Sequence, residues 1–279
     1  MQVGDYNKFK ISRKTKIGYY LDAETGDTKD DILLPFKESL EKEFEEGDEI
    51  IVFLYRDSKD RLVATLRDPL AKVGDLAYLK VKDNSQIGAF LEIGIDRDLF
   101  VPLKEQKYRL QEGDSYLFYV YEDKTGRLAG TVDVEEHLQM GEGYKVGDEV
   151  MGTICGLYRS ENVIVAVEDK YKGIMLKNEY FIKVRNGEKI KLKIKKVYED
   201  GTLGLTTRVT GKEERTQLQE DILKYLKEND GFMEYNDASS PEEIKEVFKT
   251  SKNYFKRALG GLMKSGLVTQ DEKGTTLLK

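Results

Sequence analysis

Residues 87–106, IGAFLEIGIDRDLFVPLKEQ, are the stretch that decides the fold of this chain. They lie inside a unit that begins with VGD at residues 73–75 and ends near Val132. The same order of short motifs occurs once before this unit and once after it. Such a repeat has to be identified first, because missing it leads to the wrong fold for the whole chain.

Three copies of the unit align by their motifs. The first contains VGD at residues 3–5, IGYYLD from Ile17, DILLPFKE from Asp31 and EGDEIIVFLYRDSKDRLVAT from Glu46. The second contains VGD, IGAFLE, DLFVPLKE and EGDSYLFYVYEDKTGRLAGT. The third contains VGD from Val146, VIVAVE from Val163, KGIMLKNE from Lys172 and NGEKIKLKIKKVYEDGTLGLT from Asn186. Because order and spacing agree, we expect three copies of one domain.

Each copy alternates apolar and polar residues in short runs that are separated by Gly, Asp and Asn, a pattern typical of a small all-β domain. The second copy predicts five strands, at residues 76–81, 87–93, 99–102, 115–122 and 127–132. So short an open sheet would expose its edges, which favours a closed barrel of the OB type.

Composition restricts the chemistry that the chain can perform. Among 279 residues there is one cysteine, Cys155, and one histidine, His137, in a polar segment where we expect it to be solvated. Disulfide frameworks, zinc sites and most nucleophile-and-base pairs need more of these residues. We therefore expect a protein that is not an enzyme and has no metal or cofactor. No apolar run reaches membrane-spanning length and no signal peptide is evident, which predicts a cytoplasmic protein without a membrane partner.

The net charge of −6 is unevenly distributed. Residues 146–210 carry twelve basic and nine acidic side chains, whereas residues 1–71 carry twelve and sixteen, and residues 72–143 carry nine and fourteen. The third copy is therefore the basic one.

Alternation along the second strand places an aromatic residue on the outer face of the first two copies. Phe90 shares its face with Glu92, whereas Ala89 and Leu91 share the opposite one. Tyr20 and Asp22 are related in the same way in the first copy.

The motifs IGAFLEIG, LFVPLKEQ, EGD and GRLAGTV together resemble an S1 RNA-binding domain. The resemblance implies that Tyr20 and Phe90 form base-stacking surfaces, each contact worth roughly 1–3 kcal/mol. It also makes Arg61 and Arg127, in the last hairpin, candidates for phosphate contact. The alternatives are an aromatic ring covering a neighbouring domain and solvated arginines. The chain departs from the S1 pattern at Ile87 and Pro102, where that family carries an aromatic residue and a histidine.

The third copy has Val165 in place of Phe90 and a row of lysines in its fourth strand. Lys189, Lys191, Lys193 and Lys195 alternate with Ile190, Leu192 and Ile194, which predicts four ammonium groups outside the barrel. At about 6.6 Å per two residues the row spans about 20 Å and could follow several phosphates. The alternative is a strand edge that its lysines protect from aggregation.

At the equivalent outer positions the first two copies are apolar. These positions hold Ile51, Phe53 and Tyr55 in the first copy and Leu117, Tyr119 and Tyr121 in the second. Strands that are apolar on both faces are usually covered on both faces. We therefore expect the first two domains to pack against neighbours there.

Helical periodicity replaces strand alternation after about Thr210. An apolar helix face is followed by Gly231, and Ser240-Pro241-Glu242-Glu243 forms a capping box for a second helix. A third helix and a terminal hairpin complete a pattern that resembles a winged helix. Its third helix would be the recognition helix, whose exposed basic residues are Lys252, Lys256, Arg257 and Lys264.

Three S1-like units followed by a winged helix resemble the bacterial conserved virulence factor B family. We predict a mainly β fold of three tandem S1-like OB-type barrels at residues 1–70, 71–136 and 144–210, followed by a winged helix at 214–279. The resemblance implies single-stranded RNA binding and post-transcriptional regulation by a protein that we expect to be monomeric. Two alternatives remain: a protein-interaction scaffold with degenerate barrels, and a regulator that binds duplex DNA through the winged helix.

Overall fold

A computed structural model describes residues 1–158, 160–208 and 211–278, and the side chains of residues 211–214 lie outside that description. The described residues form three closed five-stranded barrels, followed by a small domain of helices with a three-stranded sheet. The fold class predicted from the sequence is therefore confirmed.

The strands of the barrels follow the three copies in order. The first barrel contains β1 (Tyr6–Lys14), β2 (Gly18–Leu21), β3 (Ile32–Pro35), β4 (Glu49–Arg56) and β5 (Leu62–Thr65). The second contains β6 (Leu76–Asn84), β7 (Gly88–Leu91), β8 (Leu99–Pro102), β9 (Ser115–Glu122) and β10 (Leu128–Thr131). The third contains β11 (Glu149–Leu157), β12 (Val163–Val167), β13 (Tyr171–Met175), β14 (Lys189–Val197) and β15 (Leu203–Thr206).

All three barrels share one strand order. In the first, β1 pairs with β2 and β4, β2 pairs with β3, and a parallel pairing of β3 with β5 leads back to β4. Because side chains alternate between the faces of a strand, each barrel encloses its own apolar core. The opposite set of side chains is left to face solvent or a neighbouring domain.

Glycine at the start of β7 allows close approach of the next strand. A Cβ at Gly88 would lie 2.3 Å from the carbonyl oxygen of Val101, and one at Gly18 in the first barrel would lie 2.2 Å from that of Leu34. Both distances are too short for any side chain. Because the glycine of the IGAF motif has no side chain, β8 can lie this close to β7.

The first and second barrels share a small apolar core. Phe53 and Tyr55, on the outer face of β4, are almost completely buried and pack with Val63 against Ile95 and Leu128 of the second barrel. The expectation that this part of β4 packs against a neighbour is confirmed.

Ile51 does not follow this expectation, because its side chain is 62% exposed. It lies two residues before Phe53, opposite Lys8 of β1, and the second barrel contacts only the later part of β4. The prediction that Ile51 is covered was therefore wrong.

The second and third barrels are joined by a second apolar cluster. Leu117 and Tyr119 on the outer face of β9 pack against Cys155, Ile164 and Ala166 of the third barrel. Leu117 is 2% exposed, and Tyr121, farther along the strand, is half-buried. The outer face of β9 is thus also covered by a neighbour.

The segment between these barrels is docked onto them. Val134 and Leu138 are buried in the shared cluster, and Gln139 forms an isolated parallel bridge with Tyr171 of β13. His137 is exposed, but its ring stacks on that of Tyr119 at 3.4 Å and 5°. His137 is thus solvent-exposed, as expected, and the turn at Glu135–His137 also brings its ring onto β9.

The C-terminal domain has the arrangement of a winged helix. Its elements are α1 (Gly211–Glu228), β16 (Phe232–Met233), α2 (Pro241–Phe248), α3 (Lys252–Lys264), β17 (Val268–Asp271) and β18 (Gly274–Leu277). Ser240 and Glu243 form the predicted capping box at the start of α2. The short strand β16, which the sequence did not indicate, pairs with β18 and extends the hairpin to three strands.

Arg208 joins the third barrel to the winged helix. Its guanidinium carbon lies 3.9 Å from the ring centre of Tyr254 in α3 and 5.4 Å from that of Phe181. It also donates a hydrogen bond of 3.4 Å to the carbonyl oxygen of Asn178. The start of α3 therefore lies next to the 3₁₀ turn Lys177–Glu179 of the third barrel.

Candidate nucleic-acid interface

Two aromatic rings lie side by side on the outer face of the second barrel. Phe90 of β7 is directly opposite Phe100 of β8, and their ring centres are 5.2 Å apart at an interplanar angle of 38°. Both rings are half-buried, whereas Ala89 and Leu91 are fully buried inside the barrel. Phe90 therefore faces outward, as the alternation predicted, and we call the two rings the aromatic pair.

The aromatic pair lines a cleft of about 680 Å³ between the first two barrels. Tyr55 and Arg56 of the first barrel form part of the wall on one side. Ile87, 65% exposed, lies on the side of the second barrel. The cleft thus combines apolar ring surface with residues from both domains.

Charged groups of both signs surround the cleft. Lys82 forms an ion pair with Asp98 at 2.9 Å, and Arg127 forms one with Asp60 of the first barrel at 3.0 Å. The hydrogen bond to Asp98 raises the pKa of Lys82 above its usual value, so that side chain stays protonated. Arg97 is exposed and has no ion pair within the described residues, which makes it the cleft's most available cation.

In the first barrel the equivalent aromatic residue is partly covered. The guanidinium carbon of Arg13 lies 4.1 Å from the ring centre of Tyr20, and Arg13 is held there by an ion pair with Asp31. Arg61 donates hydrogen bonds of 2.9 and 2.6 Å to Asp57, which raise the pKa of the arginine. A base would have to share Tyr20 with Arg13, and a phosphate would have to compete with Asp57 for Arg61.

The four lysines of β14 line the outside of the third barrel, as their alternation predicted, but three of them have carboxylate partners. Lys189 pairs with Asp169 at 2.5 Å, Lys193 with Glu149 at 3.4 Å and Lys195 with the buried Glu179 at 2.5 Å. Lys191 is exposed and has no such partner in the described part of the chain. The row therefore presents less free positive charge than its sequence indicates.

Two of the basic residues predicted on α3 are also engaged within the domain. Lys252 donates a hydrogen bond of 3.1 Å to the carbonyl oxygen of Ala238, and Lys256 forms an ion pair with Asp237 at 3.4 Å. Arg257 lies 5.8 Å from the ring centre of Tyr254, and Lys264 is exposed near the end of the helix. These two remain the most available cations of the four.

The structure brings some of the predicted residues together and separates others. Phe90 and Arg127 line the same cleft. Lys195, at one end of the lysine row, pairs with Glu179 in the 3₁₀ turn Lys177–Glu179. The same turn contacts Arg208, which packs on Tyr254 near the start of α3. Tyr20 and Arg61 belong to the first barrel and do not line that cleft.

Sequence reasoning missed Phe100, Arg97 and Lys82. For Phe100 a signal was present, because Leu99 and Val101 alternate with it and point inward. For Arg97 and Lys82 the position at the cleft becomes visible only when the first two barrels are packed together. No group of His, Cys, Asp and Glu suited to a metal ion was found among the described residues. Within those residues, every helix is too short or too polar to cross a membrane.

Comparison with known proteins agrees with this architecture. A family model described as an S1 domain matches residues 3–67 and 73–133, and one described as a CvfB-like winged helix domain matches residues 220–277. The Bacillus subtilis protein YitL is 29% identical over 284 residues, covering 99% of this chain and 93% of its own. Conserved virulence factor B of Staphylococcus epidermidis is 29% identical over 248 residues, 86% of this chain and 83% of its own.

A solved structure is similar to this chain over nearly its whole length. It is a multidomain protein with nucleic acid binding domains from Streptococcus pneumoniae, 25% identical, with a TM-score of 0.53 and coverage of 99% of this chain and 98% of that one. S1 and winged-helix domains are nucleic-acid-binding domains, not catalytic ones. The chain thus carries S1 domains and a CvfB-like winged helix domain, and over most of its length it is similar to proteins named conserved virulence factor B.

Proposed function

We propose that this protein binds single-stranded RNA and acts in the post-transcriptional regulation of gene expression, without a catalytic step of its own. The observation that carries the proposal is the aromatic pair, Phe90 and Phe100, in the cleft between the first two barrels. Two half-buried rings side by side offer stacking surface to unpaired bases.

Stacking requires a single strand, because the bases of a duplex already stack on each other. A base on an aromatic side chain gains roughly 1–3 kcal/mol whatever its identity, so binding at this cleft would depend little on sequence. RNA is favoured over DNA by the S1 family, and a ribose 2′-hydroxyl could donate to the carboxylates at the cleft, such as Asp83 and Asp96.

The cations around the cleft supply contacts to phosphate. Arg97 is available, and Arg127 would have to exchange Asp60 for a phosphate oxygen. Few phosphates would be neutralised here, and each contributes a slope of about −0.7 to the dependence of log affinity on log salt for single strands. We expect a shallow salt dependence for a short oligonucleotide bound in the cleft.

The sequence favours the lysine row and α3 as the main path of the RNA, but three lysines of the row are ion-paired, and we therefore propose both as secondary contacts for a longer RNA. To bind phosphate, each of three lysines would have to leave its carboxylate partner: Lys189, Lys193 and Lys195. Removal of Lys195 would also leave the buried carboxylate of Glu179 without its ion-pair partner. The structure therefore makes Lys191→Glu the cleanest test of the row. On α3, Arg257 and Lys264 are the corresponding choices.

The test is fluorescence anisotropy with a labelled oligouridylate of about 12 nucleotides, within the range of OB-fold site sizes. In the double variant Phe90→Ala with Phe100→Ala, the affinity should fall roughly 5- to 150-fold for each base that no longer stacks on a ring, since 1.4 kcal/mol is a factor of ten. Tyrosine at both positions keeps the rings and should retain most of the affinity.

Phe232→Ala removes an exposed ring, 43% accessible, from the winged helix and serves as the control. Unchanged affinity of the double alanine variant would exclude the cleft as the binding site. If a duplex of the same sequence competed as well as the single strand, the alternative of duplex binding through α3 would be preferred.

The structure weakens the argument for a protein-interaction scaffold. One of the features that favoured that alternative, beside the acidic charge and the missing histidine, was the apolar outer positions of β4 and β9, but Phe53, Tyr55 and Leu117 are buried against neighbouring barrels of the same chain. They are not available to an external partner.

A further inference from the structure

A second groove lies at the junction of the second and third barrels. It has a volume of about 410 Å³ and is lined by Tyr78 from β6, by Ser115 from β9 and by the loop that precedes β14, which includes Lys183 and Arg185. The two barrels therefore contribute opposite walls. The aromatic pair does not line this groove, which we call the junction groove.

The junction groove is held open by fixed contacts. The hydroxyl of Tyr78 donates a hydrogen bond of 2.8 Å to the carbonyl oxygen of Gly187. At Gly187, where φ is +82°, a Cβ would lie 2.4 Å from the carbonyl oxygen of Ser115, so the loop touches the second barrel backbone to backbone. The apolar cluster around Leu117 and Cys155 secures the same junction. These contacts fix the loop that precedes β14 against the second barrel.

The junction groove carries two acidic groups and two cations without carboxylate partners in the part of the chain that the structure describes. Lys183 and Arg185 are exposed, and within the described residues neither has a carboxylate partner. Lys189 lies 4.1 Å from the ring centre of Tyr78 while it pairs with Asp169. The acidic groups facing the groove are Asp114 and Glu188, and Glu188 accepts a hydrogen bond from the backbone N–H of Arg185. The ligands that suit two unpaired cations in a polar groove are anions.

Strand β6 connects the junction groove to the aromatic cleft. Its outward residues are Tyr78 in the groove, Lys80 between the two sites, and Lys82 in the cleft. At about 3.3 Å per residue, Tyr78 and Lys82 are about 13 Å apart along the strand. Lys80 is exposed and has no carboxylate partner in the described part of the chain. On the far side of the groove, Lys191 continues the line of cations along β14.

We propose that the junction groove is a phosphate-binding subsite for single-stranded RNA, and that one strand runs from the aromatic cleft along β6 into it. This inference rests on the proposed function, because it extends the strand that the aromatic pair would hold. Phosphodiester groups are the ligand class that matches unpaired lysine and arginine side chains. The two barrels would then act as one binding surface longer than either alone.

The inference is tested by oligonucleotide length. The double variant Lys183→Glu with Arg185→Glu is compared with the unaltered protein on labelled oligouridylates of about 4 and about 12 nucleotides, the short one filling the aromatic cleft alone. We expect the variant to bind the long oligonucleotide at least about tenfold more weakly and to bind the short one normally. The salt slope for the long oligonucleotide should fall in magnitude by about 1.4, the value for two phosphates.

The control replaces Lys29 and Lys42 with Glu, which changes the net charge equally on the exposed surface of the first barrel. If the charge reversal unfolds the protein, Lys183→Gln with Arg185→Gln removes the cations more mildly. Unchanged binding of the long oligonucleotide, or equal weakening of both, would overturn the junction subsite and leave the aromatic cleft standing. Failure of the unaltered protein to bind either oligonucleotide would instead overturn the proposed function, and the subsite with it.

Discussion

Arg127 of the second barrel and Asp60 of the first form an ion pair across the domain boundary, with 3.0 Å between Nε and Oδ1. Their side chains are 52% and 49% exposed, so the pair adds at most about 1 kcal/mol to stability. Arg127 also lines the cleft that holds Phe90. Asp60 therefore competes with any phosphate for one of the cleft's cations.

Replacing Asp60 with Asn should strengthen RNA binding. Asp60 has a φ of +64°, a conformation that asparagine tolerates well, so the substitution changes charge with little strain. Freed of its partner, Arg127 should raise the affinity for oligouridylate about two- to fivefold, and the salt slope should steepen by about 0.7. Anisotropy titrations at several salt concentrations measure both quantities.

Asp30→Asn is the matched control, since it removes an exposed carboxylate elsewhere on the first barrel. Equal gains in the two variants would indicate an effect of overall charge. No gain in either would show that Arg127 does not contact RNA.

The contrast between Phe53 and Ile51 predicts where the first two barrels depend on each other. Phe53 is fully buried in the cluster with Ile95 and Leu128, whereas Ile51 on the same face of β4 is 62% exposed. Phe53→Ala should lower the free energy of unfolding of the first barrel by about 3–5 kcal/mol, and Ile51→Ala should change it by less than about 0.5 kcal/mol. Urea unfolding followed by circular dichroism distinguishes them; a small effect at Phe53 would mean that the barrels separate easily.

The local patterns of the sequence were sufficient to predict the barrels and the winged helix. Alternation placed Phe90 outside and Ala89 inside, and the repeated VGD and EGD turns marked where strands begin, because these features depend on neighbours in the chain. The capping box at Ser240 was recognisable for the same reason.

Features that depend on distant residues could not be predicted in this way. The partners of the lysine row come from three places: Glu149 on the adjacent strand, Asp169 in a turn and Glu179 in a 3₁₀ turn. No periodicity links these carboxylates to β14. Likewise, Val134 and Leu138 occur in a polar segment, and only the packed barrels show that they are buried.

Glu135 makes the junction of the second and third barrels sensitive to acid. Burial raises the pKa of its carboxyl group, but hydrogen bonds from Tyr158 at 2.6 Å and from Lys172 outweigh burial and hold the pKa below its usual value of 4.5. A depressed pKa means that the folded state favours the carboxylate. The stabilisation is therefore complete above about pH 4.5 and is lost as the pH falls through the lower, folded-state pKa.

Glu135→Gln should consequently lower the free energy of unfolding by about 1–3 kcal/mol near neutral pH, the range for hydrogen bonds to a charged group. Below the folded-state pKa the variant and the unaltered protein should be equally stable, because the carboxyl group is then protonated in both the folded and the unfolded chain. The difference is followed by calorimetric unfolding temperatures from pH 3 to 7. This range begins about one unit below the usual pKa of a glutamate and extends well above it. Glu136→Gln, at an exposed neighbour without a partner in the described part of the chain, should show no such pH dependence. A constant difference between Glu135→Gln and the unaltered protein over this range would mean that the carboxylate charge does not stabilise the junction.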